Sequence, residues 1–268
     1  MENTRHVPPS QEGLLDAASH IVREGLQEVQ ERYGDSIHKH EQAPSVRWLD
    51  YHNLGHSVAV YNRSTYLAKQ LGLSAIDVAV AGMAGAWHDI RHEGVRGKME
   101  QDSADLLTSR MEQAGFPRHS IVAARLAIVG TEPIFDTEGK IVGQMAELQD
   151  YASSQAATIA GVVASADIAG IYQPAGQWQG RLLFQEMNST DTSADFPVAG
   201  LLKFQEKQQH LVETYRFPLA EAEVAFGALR PQVIEHQRAV TAALRSGRIA
   251  SWVELQAADE AFRTAYGG

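Results

Sequence analysis

A chain of 268 residues is long enough for one large domain or two small ones, at about 100–200 residues per domain. Its 44% hydrophobic and 21% charged residues exclude a disordered chain, a collagen and a coiled-coil rod. With 33 acidic and 23 basic residues the net charge is −10, so we expect neither a nucleic-acid polymer nor an anionic membrane as the main partner. The absence of Cys excludes disulfides, thiolate metal sites and cysteine nucleophiles, and 11 His residues become the first place to look for chemistry.

Targeting signals are also missing from the sequence. The N-terminal segment MENTRHVPPSQEG is polar and lacks the apolar run of a secretory signal. No stretch approaches the run of about 18 uninterrupted apolar residues that a transmembrane helix needs. We therefore expect a cytoplasmic protein that does not enter a membrane. The sequence leaves the oligomeric state open, and a homo-oligomer is compatible with it.

In chain order, residues 1–12 are predicted to form a flexible arm, because Pro8 and Pro9 lie in a polar segment with little to bury. Apolar residues at helical spacing then predict a succession of helices, and Ser74 and Pro117 stand at positions typical of a helix start. The predicted helices cover residues 14–33, 54–71, 75–92, 98–114, 117–130, 144–170, 181–188, 199–215, 218–245 and 251–265.

The segments between these helices are rich in Pro, Gly and small polar residues. Loops or breaks are predicted over residues 131–142, 170–180 and 188–197. Alternating runs of β-branched residues are nearly absent, so we expect no substantial sheet. The sequence thus predicts an all-α protein with a single domain over residues 13–268, of which residues 181–265 form the C-terminal helices.

Four of the histidines fall into two pairs with the same spacing. His52 and His56 lie in YHNLGH, and His88 and His92 lie in HDIRH. Residues four apart on a helix share one face, so each pair can direct both rings into one cavity. A single buried His is more often a hydrogen-bonded core residue than a ligand, but two such pairs favour a common site.

Two aspartates complete this set of residues. Asp89 follows His88 directly, and Asp167 lies in the apolar segment VVASADIAGIY, where a carboxylate is costly to bury without a partner. Asp167 alone could cap a helix or pair with an Arg. Taken with the histidines, the two carboxylates favour a mixed nitrogen and oxygen site for a divalent cation.

The segments YHNLGHSVAV, WHDIRHEG and ADIAG resemble the HD-domain superfamily of metal-dependent phosphohydrolases. In form they are nearest to the 3′,5′-cyclic nucleotide phosphodiesterases and their small bacterial relatives, over roughly residues 48–172. The resemblance implies a helical bundle of the HD/phosphodiesterase type around a metal centre. It also implies the metal ligands, which are His56, His88, Asp89 and Asp167.

Three further residues receive catalytic roles from the resemblance. His52 matches the general acid that protonates the leaving oxygen, and His92 matches a histidine near the second metal position. Glu100 stands where family members often carry an acidic residue that orients a water, although an exposed helical Glu is an equal interpretation.

These residue types suit phosphoester hydrolysis on chemical grounds as well. Two His and two Asp leave positions open on a cation for a water and for phosphate oxygens, and a bound cation lowers the pKa of that water. A cationic His can then protonate the leaving alkoxide. The expected cofactor is one or two divalent ions of Mn, Mg, Fe, Co or Zn, because the donor set excludes only a Cu(I)-type site.

The function expected from the sequence is therefore hydrolysis of a small phosphorylated molecule, with nucleotides and cyclic nucleotides among the candidate substrates. One alternative is an HD-fold di-iron oxygenase, which needs two further His between Asp89 and Asp167, where this chain has only His92 and His119. The other alternative is a non-catalytic metal or nucleotide sensor. The intact set of predicted ligands argues against a sensor.

Overall fold

The computed structural model of the chain describes residues 9–34, 49–92, 97–188 and 196–267. Over these residues the structure is an all-α helical bundle with one small antiparallel hairpin, which confirms the predicted fold class. The helices are α1 (Gln11–Tyr33), α2 (Leu54–Gln70), α3 (Ala75–Trp87), α4 (Met99–Gln113), α5 (Arg118–Val129), α6 (Ser154–Ile168), α7 (Pro174–Asn188), α8 (Val198–Thr214), α9 (Ala220–Phe226), α10 (Arg230–Arg245) and α11 (Trp252–Tyr266). The strands are β1 (Pro133–Phe135) and β2 (Ile141–Gln144).

The predicted loop over residues 131–142 was wrong in part, because it contains most of the hairpin. In the hairpin Pro133 pairs with Gln144 and Ile134 pairs with Gly143. The turn is closed by the side chain of Asp136, whose Oδ1 accepts hydrogen bonds from the backbone N–H groups of residues 138 and 140 at 2.8 Å. Strands of three and four residues are too short to display the alternation by which a strand is recognised.

The predicted helix over residues 144–170 begins ten residues later than expected, at Ser154. Ser153 adopts an extended conformation and its side chain accepts a hydrogen bond from the backbone N–H of Ala156, which fixes this start. The preceding Met145–Glu147 forms only a short 3-10 turn. Local capping therefore decides the boundary against the helix propensity of an Ala-rich segment.

Three other boundaries also differ from the sequence prediction. The helix expected over 75–92 ends at Trp87. The break expected over 170–180 is confined to a 3-10 turn, after which α7 begins at Pro174. The helix expected over 218–245 is divided into α9 and α10, which Gly227 and the Pro in the first turn of α10 separate.

Two predicted segments fall mainly outside the described residues. Of the predicted arm 1–12, residues 1–8 lie outside them, and α1 begins at Gln11 with Ser10 as its N-cap. The predicted loop over 188–197 lies outside them from residue 189 to residue 195.

The core is built around α3, which packs against α1, α2, α5 and α6. Its sequence AIDVAVAGMAGAW is mostly small and apolar, so neighbouring helices approach closely. The indole of Trp87 fills the space over Gly25 of α1 and donates a hydrogen bond from Nε1 to the carbonyl oxygen of Ile21 at 2.9 Å. Because α2, α3 and α6 are all in mutual contact, the residues near one end of these helices are brought together.

The apolar helix α6 and the turn after it meet the length and composition expected of a membrane span. Over Ser154–Tyr172, however, 61% of the most apolar window is buried inside the fold. This burial is what the core helix of a soluble protein shows, since its apolar surface is already covered by α2, α3 and α5.

The C-terminal helices enclose a second apolar cluster, which includes Phe184, Leu201 and Trp252. A buried ion pair crosses this region, in which Nε of Arg181 on α7 lies 3.0 Å from Oδ2 of Asp259 on α11. The exposed fractions of these residues are 0% for Arg181 and 3% for Asp259. The pair therefore ties α7 to the end of the chain.

Candidate metal centre

Three helices carry the predicted ligands to one place. His56 lies in the first turn of α2, which is capped by Asn53 through a hydrogen bond from the backbone N–H of Gly55 to the Asn53 side chain at 2.9 Å. His88 directly follows the last residue of α3, and Asp167 lies in the last turn of α6. Asn53 thus acts as the N-cap of the helix that carries His56.

The imidazoles of His56 and His88 meet at the centre of this region. Their Nε2 atoms are 3.1 Å apart, and Oδ1 of Asp167 lies 3.2 Å from the first and 3.5 Å from the second. These three residues form a group whose donor atoms could hold a metal ion.

Asp89 joins the same group through one oxygen. Its Oδ2 lies 3.3 Å from Nε2 of His56 and 2.9 Å from Nε2 of His88. Its other oxygen, Oδ1, lies 3.7 Å from Nδ1 of His92. We call the set His56, His88, Asp89 and Asp167 the four-residue cluster.

The spacing of His56, His88 and Asp167 fits one shared cation, and Oδ2 of Asp89 lies close to both imidazoles. Donors bound about 2.1 Å from an ion lie roughly 3.0 Å apart at a right angle and about 3.4 Å apart at a tetrahedral angle. The separations between each imidazole and its neighbours in the cluster run from 2.9 to 3.5 Å. Two imidazoles with two carboxylates also make a donor set typical of divalent transition metals.

The orientation of His88 directs a lone pair into the cluster. Its Nδ1 lies 2.9 Å from the carbonyl oxygen of Gly85, which can only accept a hydrogen bond. Nδ1 therefore carries the ring proton of neutral His88, and Nε2 presents a lone pair to the other donors. A main-chain carbonyl thus fixes the tautomer that a metal ligand requires.

Electrostatics within the cluster favour charged side chains in spite of burial. Burial opposes a charge on His88, but the neighbouring Asp89 and Asp167 outweigh it and raise the pKa of His88 well above its usual value. The pKa of His56 is raised for the same reasons. Burial likewise opposes the charges of the carboxylates, but His88 and His56 hold the pKa values of Asp89 and Asp167 below their usual range. Protons and a cation would compete for the same imidazole nitrogens.

A second group of titratable residues adjoins the first. Nδ1 of His52 lies 2.5 Å from Oε1 of Glu186, and the ring of His52 stacks on that of His92 with centroids 3.6 Å apart. Nε2 of His92 lies 3.7 Å from the same Glu186 oxygen. The donor atoms of these three residues could also hold a metal ion. We call the set His52, His92 and Glu186 the three-residue group.

Glu186 is held as a carboxylate by hydrogen bonds from two kinds of donor. Its Oε2 accepts from the backbone N–H groups of Tyr51 at 2.8 Å and His52 at 3.1 Å. Burial raises the pKa of Glu186, but the bond to the His52 ring, the charge of that ring and the backbone donors together lower it to about 2. Burial and the adjacent His92 lower the pKa of His52, and Glu186 opposes that shift.

Sequence reasoning missed Glu186 altogether. The residue belongs to no motif, and it reaches His52 only because the fold brings Glu186 on α7 to the segment just before α2. The one signal in the sequence is an acidic residue in the otherwise apolar and amide-bearing segment LLFQEMN.

Glu100 does not join either set. It lies in the first turn of α4 and is half-buried, and its Oε2 has no hydrogen-bond partner among the described residues. Burial raises the pKa of Glu100, and the negative charges of Asp89 and Glu132 add to that effect. The structure therefore brings together six of the seven sequence-predicted residues and leaves Glu100 nearby but unconnected.

No protein-family model matches the chain, and no curated protein is significantly similar to it in sequence. The resemblance to the HD-domain superfamily thus stays a prediction that depends on three short segments.

Proposed function

We propose that the protein is a metal-dependent phosphohydrolase whose metal centre is the four-residue cluster. The observation that supports this most is the convergence of two His and two Asp from segments far apart in sequence, in which an oxygen of each carboxylate lies 2.9–3.5 Å from both imidazoles. The proposed cofactor is one or two divalent cations of Mn, Mg, Fe, Co or Zn. Such a cation supplies a bound water of lowered pKa and positive charge for the phosphate oxygens.

In this proposal His52 is the general acid for the leaving oxygen. Glu186 accepts a hydrogen bond from Nδ1 of His52, so the proton to be transferred sits on Nε2. Burial and His92 lower the pKa of His52, which makes its protonated form a stronger acid. Glu186 counteracts part of this shift and keeps the protonated form accessible.

His92 and Glu100 have supporting roles in the proposal. The ring of His92 stacks on His52 and its Nδ1 faces Oδ1 of Asp89, so these two residues would help to hold a second cation if one binds. Glu100 keeps the predicted role of orienting a water, since its buried Oε2 has no partner among the described residues.

The substrate in this proposal is a small phosphorylated molecule in the cytoplasm. The net charge of −10 disfavours long polyanions, whereas a local cation can reverse the sign of the field at one site.

Metal analysis of the purified protein, followed by a phosphoester panel with added Mn, Mg, Co and Zn, tests the proposal. Wild-type protein should bind metal and hydrolyse at least one ester. Asp89→Ala should lose both properties, because it removes an anionic ligand, whereas Asp150→Ala on the exposed surface should retain both. His88→Ala and the exposed His119→Ala form a second matched pair. Full metal content in Asp89→Ala would contradict the assignment, and a metal-loaded protein without any turnover would favour a sensor.

A second candidate function is an oxygenase with two iron ions. The observation that favours it is the three-residue group, which adjoins the four-residue cluster through Asp89 and could hold a second ion. Iron at two equivalents per chain, with aerobic consumption of oxygen and loss of one equivalent in Glu186→Gln, would favour the oxygenase. Ester hydrolysis in the absence of oxygen, with one or two equivalents of metal, would favour the phosphohydrolase.

A further inference from the structure

The two oxygens of Asp167 face different partners. Oδ1 is directed to the imidazoles of His56 and His88, whereas Oδ2 lies 3.4 Å from Nε2 of Gln144. Gln144 is the last residue of β2 and is only 1% exposed. The hairpin, most of which the sequence predicted as a loop, therefore reaches the candidate metal centre through this amide.

The contacts of Gln144 determine which way its amide points. Its Nε2 also lies 3.2 Å from the carbonyl oxygen of Thr131, so both neighbours on that side are acceptors. Only the NH₂ group of the amide can donate hydrogen bonds to both a carbonyl oxygen and a carboxylate oxygen. Oε1 must then face the opposite side, where the hydroxyl of Tyr215 lies 2.6 Å away and donates to it.

Tyr215 is itself fixed by the helices around it. It is 2% exposed, and it directly follows α8. The same helix contacts the turn of the hairpin, because Nζ of Lys207 donates to the carbonyl oxygen of Gly139 at 3.0 Å. Burial raises the pKa of Tyr215, so its hydroxyl remains a donor at neutral pH.

We propose that Gln144 and Tyr215 are positioning residues that orient the carboxylate of Asp167 for metal binding. Without a donor at Oδ2, the carboxylate at the end of an apolar helix could rotate away from the two imidazoles, since the last side-chain torsion of Asp has a broad preference. The hydrogen bond from Gln144 restricts this rotation, and Tyr215 restricts the amide. This inference rests on the proposed metal centre and extends it to the hairpin and to α8.

The chain contains a matched control for this pair. Tyr151 and Gln149 form a similar contact, in which Nε2 of Gln149 lies 2.8 Å from the Tyr151 hydroxyl, without reaching Asp167. Binding of Mn²⁺ alone should be measured by calorimetry for the wild type, Tyr215→Phe, Gln144→Met, Tyr151→Phe and Gln149→Met. Groups that orient a ligand typically contribute about 10–100-fold in metal affinity. We expect losses of roughly that size in Tyr215→Phe and Gln144→Met, and less than about 3-fold in the two controls.

A double variant separates positioning from general destabilisation. If Tyr215 acts through Gln144, then Tyr215→Phe should cause no further loss of Mn²⁺ affinity once Gln144 is Met. If Gln144→Met does not fold, Tyr215→Phe decides alone, because it removes a single oxygen atom.

The outcomes distinguish this inference from the proposed function. Equal Mn²⁺ affinity in the wild type, Tyr215→Phe and Tyr151→Phe would overturn the inference and leave the metal centre intact. Equal losses in Tyr215→Phe and Tyr151→Phe would also overturn it, since the effect would then come from lowered stability. A wild type that binds neither Mn²⁺ nor any other divalent ion would overturn both.

Discussion

Nδ1 of His52 lies 2.5 Å from Oε1 of Glu186, although the two residues are 134 positions apart. The contact joins the start of α2 to α7, and the same carboxylate accepts from the backbone N–H groups of Tyr51 and His52. A charge-assisted bond of this kind sets both the orientation of the imidazole and the site of its second proton.

His52→Ala should retain its metal and its fold, because His52 lies outside the four-residue cluster. Turnover of esters with poor leaving groups should fall by roughly 10²–10⁴-fold, the usual contribution of a positioned acid. A nitrophenyl ester should lose much less, because its leaving group needs no proton. Equal losses on both substrates would show that His52 is not the acid, and loss of metal would show that it is a ligand.

Glu186→Gln should reproduce this leaving-group dependence in weaker form. The amide keeps the shape of the side chain but removes the negative charge that stabilises protonated His52, so the pKa of His52 should fall further. Rates on poor leaving groups should drop more at pH 8 than at about pH 6, because the acid form becomes scarcer as pH rises. The exposed Glu260→Gln is the control. Unchanged pH profiles in Glu186→Gln would exclude this role.

The four-residue cluster could be predicted from the sequence because its signals are local. The clustered histidines, the adjacent Asp and a carboxylate in an apolar helix each mark a position without knowledge of the fold. The expectation that each His pair shares one helix face was wrong, because His52 precedes α2 and His92 follows the end of α3. Glu186 and Gln144 carry no such mark. Each becomes part of the site only through a side-chain contact across the fold, of Glu186 with His52 and of Gln144 with Asp167, and such contacts leave no periodic pattern.

The helices themselves were predictable where the apolar period meets a clear boundary, as in α2 and at the N-cap of α3. The errors arose where one residue decides the boundary. Ser153 caps α6, which begins ten residues after the predicted start. Gly227 ends α9, although the apolar pattern continues through it as if α9 and α10 were one helix. Propensity summed over a window cannot resolve such single-residue decisions.

Gly25→Ala should destabilise the protein through a clash with Trp87. A Cβ at this position would lie 2.3 Å from Nε1 of the indole, which is buried and bonded to the carbonyl of Ile21. Overpacking of this kind typically costs about 1–3 kcal/mol. Gly13→Ala on the same helix meets nothing closer than 3.4 Å and should be neutral or stabilising by up to about 1 kcal/mol. Urea unfolding followed by circular dichroism compares the two, and equal stabilities would refute the close packing.

Asp259→Ala should lower the free energy of unfolding by roughly 3–5 kcal/mol, since it leaves the buried guanidinium of Arg181 without its carboxylate. The Asp259 oxygens lie 3.0 Å from Nε of Arg181 and 2.8 Å from Nε2 of His236. The adjacent Glu260→Ala is a suitable control, because its pair with Arg263 is solvent-exposed and should contribute little to stability. Similar unfolding midpoints for the two variants would mean that the buried pair does not hold α7 to α11.

The stabilisation by metal should increase with pH. Burial lowers the pKa values of His56 and His88, but Asp89 and Asp167 outweigh burial and raise them above the usual 6.5. The charged imidazoles therefore stabilise the fold fully below about pH 6.5, and this stabilisation is lost as the pH rises through the raised pKa values. The lowered pKa values of Asp89 and Asp167 give the opposite sign, with stability present above about pH 4 and lost as pH falls. Without metal the cluster should therefore be most stabilising between about pH 4 and 6.5.

A cation needs the unprotonated Nε2 atoms of His56 and His88, so its binding must release these protons and becomes more favourable as pH rises. The difference in Tm between Mn²⁺-loaded and EDTA-treated protein should thus be small near pH 5.5 and several degrees larger near pH 8. His88→Ala should show almost no difference at either pH, whereas a wild-type difference independent of pH would mean that the cation does not displace protons from His56 and His88.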